Sequence, residues 1–201
     1  MSLKQNLVNR TAFKLLALLG LFALALYIIH ERHRPKHKPY LEIPRRELAQ
    51  IEGRWHRSGE TNPFTGVMID FYPAGAVFSR SQISNGLLNG VSETWYTNGQ
   101  MQVQENYLNG ISNGPREKWH ENGALLSRAS IVEGKVEGTF QSWHDNGQLS
   151  EQIEMKLGKP DGIARAYYRS GCLKSETELQ LGKILSQKVW NDGERPAEIA
   201  K

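Results

Sequence analysis

Two glutamates of this 201-residue chain, Glu93 and Glu117, recur at one position of neighbouring sequence segments and are the first candidates for acid-base chemistry. Paired carboxylates perform such chemistry at separations of about 5 to 9.5 Å, which this spacing does not exclude. Gln141 and Arg165 occupy the same position in the following segments. A column of this composition is more typical of a solvated surface that stabilises a stack, so we predict no catalytic residues.

Histidines are the second candidates, because two of them fall in one periodic column with three tyrosines. The members of this tyrosine-histidine column are Tyr72, Tyr96, His120, His144 and Tyr168. In stacked two-stranded hairpins, equivalent positions of successive hairpins lie about 10 Å apart, whereas two imidazoles that share a zinc ion lie within roughly 4 Å of each other. His30, His33 and His37 have no cysteine or carboxylate cluster at ligand spacing. We therefore predict no metal and no cofactor.

The remaining nucleophiles and the glycines give no catalytic motif. No G-x-S-x-G nucleophile elbow occurs. Cys172, the single cysteine, follows a turn glycine and is predicted to be buried; with no second cysteine the chain forms no internal disulfide. The glycines recur at a fixed interval rather than in one loop that opens a helix, so a phosphate-binding loop is rejected. The sequence predicts a protein that is not an enzyme.

The glycines instead define a repeat of 24 residues. Three glycine sets and one aromatic set keep this interval: Gly75, Gly99, Gly123, Gly147 and Gly171; Gly66, Gly90, Gly114, Gly138 and Gly162; Gly86, Gly110, Gly134, Gly158 and Gly182; and Phe71, Trp95, Trp119, Trp143 and Tyr167. The repeats lie near residues 63–86, 87–110, 111–134, 135–158 and 159–182, with a partial repeat at 183–195.

Each repeat predicts a β-hairpin, because apolar and polar residues alternate on both sides of a turn. A two-residue loop would divide the apolar residues between two faces, whereas a three-residue loop with glycine at positive φ pairs Trp95 with Met101. The equivalent pairs are Phe71 with Val77, Trp119 with Leu125, Trp143 with Leu149, and Tyr167 with Leu173. We expect the same face to carry Ile83, Tyr107, Ile131, Met155 and Leu179, together with Val67, Val91 and Ile163.

Stacking of the hairpins is expected, because a lone two-stranded hairpin is marginally stable in water. The predicted fold is an all-β, elongated array of stacked antiparallel hairpins. The tyrosine-histidine column has the opposite parity to the tryptophan column and is expected on the other face. That column could be a partner-binding face or the second packed side of a curled sheet, and both readings stay open.

At these residues the sequence resembles a known family. The pattern G-x-x-x-G-x-x-x-x-[WYF]-[YH]-x-[NS]-G resembles the MORN repeat in its bacterial variant form, over about residues 48–193. Residues 48–75, with "PFTG" at Pro63 to Gly66, are similar to the start of a bacterial group often labelled the antitoxin component of a toxin-antitoxin module. The resemblance implies a hairpin array. The first and last repeats depart from the pattern, as the capping units of arrays do.

Residues 11–29 predict a transmembrane anchor. Leu15 to Ile29 carry no charge, and a helix over 11–29 is about 28 Å long, close to a hydrocarbon core of roughly 30 Å. Bulky and charged residues follow it, which favours a retained anchor over a cleaved signal peptide. Basic residues flank it on both sides, so the side of the membrane that holds the repeats stays open. We expect a single-pass protein, of a bacterial inner membrane.

The anchor divides the chain into a tail at residues 1–10, a polybasic linker at 30–47, a repeat domain at 48–195 and a second tail at 196–201. In the linker, headgroups of anionic lipids could be contacted by Arg32, Arg34, Lys36 and Lys38. The linker could equally serve only to stop translocation.

The charge is divided unequally. Residues 1–46 hold nine Lys and Arg against two Glu, a net charge of +7, and residues 47–201 hold sixteen against nineteen, a net charge of −3. The repeats are thus not expected to bind nucleic acid. The leading prediction is a membrane-anchored, non-enzymatic scaffold for a protein partner. The alternatives are an antitoxin or immunity-type protein that neutralises a toxin, and a module that binds anionic lipids, which the negative repeats disfavour. Self-association through the open edges of the array is also expected to be possible.

Overall fold

The computed structural model describes residues 40–194. The predicted N-terminal tail, the predicted anchor at 11–29, most of the linker and the tail at 196–201 lie outside the described residues. Within 40–194, no helix is both long enough and apolar enough to cross a membrane. Leu41 begins a compact unit that contains the repeats.

The described residues form strands almost throughout, which confirms the all-β prediction. The strands are β1 (Glu42–Pro44), β2 (Leu48–Ile51), β3 (Arg54–Arg57), β4 (Gly66–Phe71), β5 (Val77–Ser84), β6 (Leu87–Trp95), β7 (Met101–Leu108), β8 (Ile111–Trp119), β9 (Leu125–Val132), β10 (Lys135–Trp143), β11 (Leu149–Lys156), β12 (Lys159–Tyr167), β13 (Leu173–Gln180) and β14 (Lys183–Val189). A short 3-10 helix at Arg45–Glu47 follows β1. Residues 42–47, assigned from the sequence to the linker, thus form a strand and a helical turn.

Twelve strands form one sheet in the order β1, then β4 to β14 in sequence, while β2 and β3 form a two-stranded sheet. From β4 onward every neighbour in the large sheet is the next strand along the chain and is antiparallel, as the hairpin pattern predicts. β1 pairs in parallel with β4. The hairpins therefore join into one continuous ribbon.

The turns within the repeats have the predicted register. Trp95 pairs with Met101, and the four equivalent pairs are all present. Gly99 has φ +83°, and the N–H of Tyr96 donates to the carbonyl of Gln100 across the loop at 2.8 Å. Glycine is favoured here because it enters this conformation without a steric penalty.

A second set of turns joins one repeat to the next. At Asn85–Gly86, Glu133–Gly134 and Leu157–Gly158, both residues have positive φ, the conformation of a two-residue type I′ turn. Leucine is an unusual first residue for such a turn, and Leu157 has φ +52°. The two sets of turns lie at opposite ends of the strands.

One part of the face prediction was wrong, and a β-bulge is the reason. Beside the Trp95 pair the register shifts, so that Val103 lies opposite Thr94 and Tyr107 lies opposite Gly90. Because successive residues of β6 point to opposite faces, Tyr107 lies on the face opposite to Trp95. The same holds for the rest of its column, which is Ile83, Ile131, Met155 and Leu179. Val67, Val91 and Ile163 share a face with the aromatic residue of their own strands, as predicted.

We call the side of the sheet with Trp95, Trp119 and Trp143 the tryptophan face and the other side the inner face. At the N-terminal end, the inner face is covered by the β2–β3 hairpin. The buried core there consists of Ile43, Leu48, Phe64, Met68 and Ile83, with Trp55 and Leu88 packed against it. The N–H of Trp55 donates to the carbonyl of Gly86 at 2.8 Å, which fixes the hairpin to the first inter-repeat turn. The first repeat is therefore capped.

Candidate binding surface

The tyrosine-histidine column links each repeat to the next. Every member is half-buried, and its polar tip contacts the backbone of the following unit: Tyr72 Oη donates to Trp95 O (2.7 Å), Tyr96 Oη to Trp119 O (2.8 Å), His120 Nε2 to Trp143 O (3.0 Å), His144 Nε2 to Tyr167 O (3.0 Å) and Tyr168 Oη to Trp190 O (3.0 Å). Since a carbonyl oxygen only accepts, Nε2 of each histidine carries a proton. The column thus has a structural role, and contact of its rings with a partner stays a prediction.

Asparagines hold the turns at the same end of the strands. Asn98, Asn122 and Asn146 each donate from Nδ2 to a carbonyl of the next turn at 2.9 Å. Each also accepts, through Oδ1, an N–H two residues ahead in its own turn. Every such asparagine therefore fixes its own turn and joins it to the next, which makes this end of the ribbon a preformed surface.

Two open clefts adjoin this end of the ribbon, and members of the tyrosine-histidine column line both. They lie on opposite faces of the sheet: the first on the tryptophan face, with Arg80 and Trp95, and the second on the inner face, with Ser142 and Ala166. The first, here called the N-terminal cleft, has a volume of about 440 Å³ and is lined by Ile69, Val77, Arg80, Trp95 and Tyr96, with Glu42, Ala76 and Gly99. Arg80 forms an ion pair with Glu42 in its wall. Phe71, which pairs with Val77, is exposed beside the cleft. This cleft is mainly apolar with one neutralised charge pair.

The second, here called the C-terminal cleft, has a volume of about 500 Å³. Its lining includes His120, His144, Glu151, Arg169 and Lys174, with Leu126, Ser142, Trp143, Asp145, Ser150, Ala166 and Tyr167. Arg169 lies 2.6 Å from Asp145, and the hydrogen bond it donates lowers the pKa of that exposed carboxyl, more than the small opposing effect of burial. Lys174 Nζ lies 5.6 Å from the ring centre of Tyr168. Two cations and two carboxylates line this cleft, so its charges balance.

The glutamates considered for acid-base chemistry lie in a polar row on the tryptophan face. This cross-sheet row passes through directly paired positions of successive strands, in the order Arg80, Glu93, Gln104, Glu117, Arg128, Gln141, Gln152, Arg165, Glu176 and Lys188. Arg128 Nε donates to Glu117 at 2.7 Å, and Arg165 Nε donates to Glu176 at 2.9 Å. No two like charges are neighbours in the row.

The row leaves Glu93 and Glu117 poorly arranged for joint catalysis. Gln104 lies between them, so the two glutamates are two strands, or about 10 Å, apart. The sequence column of Glu93, Glu117, Gln141 and Arg165 makes up less than half of this row, because it comprises one strand of each hairpin. Arg80, Gln104, Arg128, Gln152 and Glu176 also recur every 24 residues, and that signal could have revealed these members.

A charged cluster on the inner face was not predicted. Glu105 accepts hydrogen bonds from Ser112, from Tyr107 at 3.0 Å and from Arg116 Nε at 2.8 Å. Burial acts to raise the pKa of Glu105, but the bonds from Ser112 and Arg116 outweigh it and hold that pKa below its ordinary value. Burial and the Glu105 charge raise the pKa of Tyr107. The same column holds Ser81, Ala129, Ile153 and Thr177 elsewhere, so this charged pair differs from its counterparts.

The other candidates give no site. Among residues 40–194, no group of three or more potential metal ligands comes together. Cys172, predicted to be buried, is a half-buried free thiol. His30, His33 and His37, and the candidate lipid contacts Arg32, Arg34, Lys36 and Lys38, lie outside the described residues.

Comparison with known proteins agrees with the repeat. Residues 88–109 and 136–157 match the family model described as the MORN repeat variant. These segments coincide with the second and fourth predicted repeats, and MORN repeats are generally modules that bind proteins or lipids. No curated protein matches the chain.

Proposed function

We propose that this chain is a non-enzymatic scaffold that binds a protein partner along the end of its β-ribbon that carries the turns within the repeats. We also propose that residues 11–29 tether it to a membrane. The observation that carries the binding proposal is the pair of open clefts, one on each face of the sheet, which the tyrosine-histidine column lines at an end of the ribbon held rigid by hydrogen bonds between repeats. The tether rests on the apolar sequence of residues 11–29.

A protein partner suits the chemistry of this surface better than a highly charged ligand. The N-terminal cleft offers aliphatic groups and the half-buried rings of Trp95 and Tyr96, and the exposed ring of Phe71 lies beside it. Aromatic side chains act as anchors in protein interfaces. The C-terminal cleft offers both charges, imidazoles and serine hydroxyls. Because the clefts open on opposite faces, a partner that extends around the turns at this end of the ribbon would match both, with an apolar side chain in the first cleft and polar side chains in the second.

The repeat domain is proposed to lack catalysis because the glutamates considered for acid-base chemistry, and the half-buried Glu105, are occupied or separated. Glu117 and Glu105 are held by arginines, and Glu93 lies about two strands from Glu117. An activity of the full chain that disappeared when both Glu93 and Glu117 were changed to glutamine would contradict this part of the proposal.

The test is site-specific photocrosslinking in cells with the full chain. A photoreactive amino acid replaces Val77 in the N-terminal cleft or Leu126 in the C-terminal cleft, and Glu133, an exposed residue of an inter-repeat turn at the other end of the strands, is the matched control. We expect the same protein to be crosslinked from both clefts and not from Glu133. Absence of crosslinked protein at both clefts, or equal capture from Glu133, would overturn the proposed surface.

A further inference from the structure

Within residues 40–194, the large sheet ends in one long strand whose outer edge has no partner. β14 is the last strand in its order, and within residues 40–194 it pairs with β13 alone. All seven of its residues are exposed, and Ile184, Leu185 and Val189 are 58, 52 and 65% exposed. The outer edge of such a strand presents backbone N–H and C=O groups that can pair with an added strand.

The opposite edge of the sheet does not offer the same opportunity. β1 has three residues, and one of them is Pro44, which has no N–H to donate. The β2–β3 hairpin covers the inner face beside it. A short strand with a proline is a common protection against strand addition. Of the two edges, β14 is therefore the one that can accept a strand of ordinary length.

The cross-sheet row indicates what charge an added strand would carry. Within the row, Arg165 lies between Gln152 and Glu176, and Glu176 lies between Arg165 and Lys188. Lys188 is the last member and has a neighbour on one side only. Because opposite charges stabilise directly paired positions and like charges destabilise them, the open side of Lys188 favours a carboxylate.

The sequence of β13 shows that one strand can satisfy this requirement. Glu176 of β13 lies opposite Arg165 on one side and Lys188 on the other. Its neighbours Ser175 and Thr177 lie opposite Val189 and Gln187 of β14. β13, an eight-residue strand with this pattern, thus already pairs with the other edge of β14.

We propose that the outer edge of β14 accepts an extended segment of a partner protein as a further antiparallel strand, with a glutamate or aspartate of that segment opposite Lys188. This inference rests on the proposed protein-binding function and adds a second point of contact to it. The backbone of β14 supplies the affinity, and Lys188 supplies the selection for an acidic residue.

The experiment uses two peptides and three forms of the full chain in detergent micelles. One peptide, capped at both ends, has the sequence of β13 (Leu173–Gln180), and the other has lysine in place of its Glu176. The proteins are the wild type, K188E and K183E. Lys183 is the matched control, because it lies in the same strand and is also exposed, but it lies outside the cross-sheet row.

Binding is measured by titration, and its location is measured by amide hydrogen exchange of β14. The wild type should prefer the glutamate peptide, by up to about fivefold for one cross-strand charge pair. K188E should reverse the preference and K183E should keep it. Bound peptide should slow exchange of those amides between Ser186 and Val189 that point away from β13.

Four results would overturn the inference. They are no slowing of exchange in β14 at millimolar peptide, a preference that K188E leaves unchanged, protection of the same amides in the dilute free chain, and their protection by concentration-dependent dimers. The third result would mean that the chain covers its own edge, and the fourth that a second copy does. Crosslinking from Val77 and Leu126 does not involve β14, so it would still report on the proposed function if this inference failed.

Discussion

Replacing Glu105 with isoleucine should destabilise the ribbon chiefly through the arginine left behind. The Glu105 side chain is 13% exposed and that of Arg116 is 30% exposed. Removing one partner of a buried ion pair costs roughly 3 to 5 kcal/mol, because the other charge stays buried without compensation. Arg116 retains some contact with water and isoleucine adds apolar burial, so we expect a loss of about 2 kcal/mol.

The second substitution of this experiment, Arg116→Ala, should restore most of that loss. The equivalent pair between the fourth and fifth repeats is Ile153 with Ala164, directly opposite each other. The double variant E105I/R116A copies this pair to the junction of the second and third repeats. Replacing a buried ion pair by apolar residues is often neutral or stabilising, so we expect the double variant to lie within about 0.5 kcal/mol of the wild type.

The assay is urea unfolding of the wild type, both single variants and the double variant, followed by tryptophan fluorescence and circular dichroism at pH 7. The coupling energy between the two sites is obtained from the four free energies of unfolding. We expect a coupling of at least 1.5 kcal/mol, in roughly the range measured for residues in contact. Additive losses in the double variant would refute the reasoning, since they would mean that Glu105 and Arg116 stabilise the fold independently of each other.

Three further predictions concern single contacts. Because the pKa of Glu105 is lowered in the folded state, its stabilisation is complete above the ordinary pKa of 4.5 and is lost as the pH falls through the lower native pKa; the difference in unfolding free energy between the wild type and E105Q should therefore shrink from pH 6 to pH 3. Leu157→Asn should raise the free energy of unfolding by about 1 kcal/mol, since asparagine tolerates positive φ, whereas Leu108→Asn in β7 should not. Tyr96→Phe should lower it by about 1 kcal/mol through loss of the bond to Trp119, and Tyr96→His, which copies His120 and His144, should lower it less. Urea unfolding checks the last two.

The hairpin register was predictable because one register had to pair the aromatic residue with an apolar residue in all five repeats. Each aromatic residue, from Phe71 to Tyr167, had to pair with an aliphatic residue or methionine beyond the turn, and a glycine stood where positive φ was required. Only a three-residue loop satisfied both conditions. The alternation of apolar residues then indicated the strands and their order.

The bulge beside each aromatic pair was not predictable from the same pattern. An extra residue such as Gln102 changes the face of everything beyond it, yet it leaves the spacing in sequence unchanged. The parallel pairing of β1 also depends on contacts distant in sequence, because Ile43 pairs with Met68. Contact between Glu105 and Arg116 depends on which strands are neighbours, so it became visible only once the register between β7 and β8 was known.

The tyrosine-histidine column was found from sequence, but its contacts were not. The period placed Tyr96, His120 and His144 in one line without indicating where their polar atoms would bond. Their acceptors are carbonyl groups 23 residues further on, and backbone groups leave no trace in composition. These rings are half-buried. They are therefore partly packed, as in the second side of a curled sheet, and partly accessible, as in a partner-binding face.

The cross-sheet row has a consequence for how such a chain can change its length during evolution. In a gene built of equal repeats, recombination can delete or duplicate whole repeats, and the backbone pairing of the sheet would be kept after a deletion or a duplication. Loss of residues 135–158, however, would set Arg128 against Arg165 in the row. Loss of 111–134 would, on the inner face, set Glu105 against Phe140 in place of Arg116. The side chains at directly paired positions thus match only the neighbouring repeat that is present, and repeats that share one backbone are not interchangeable.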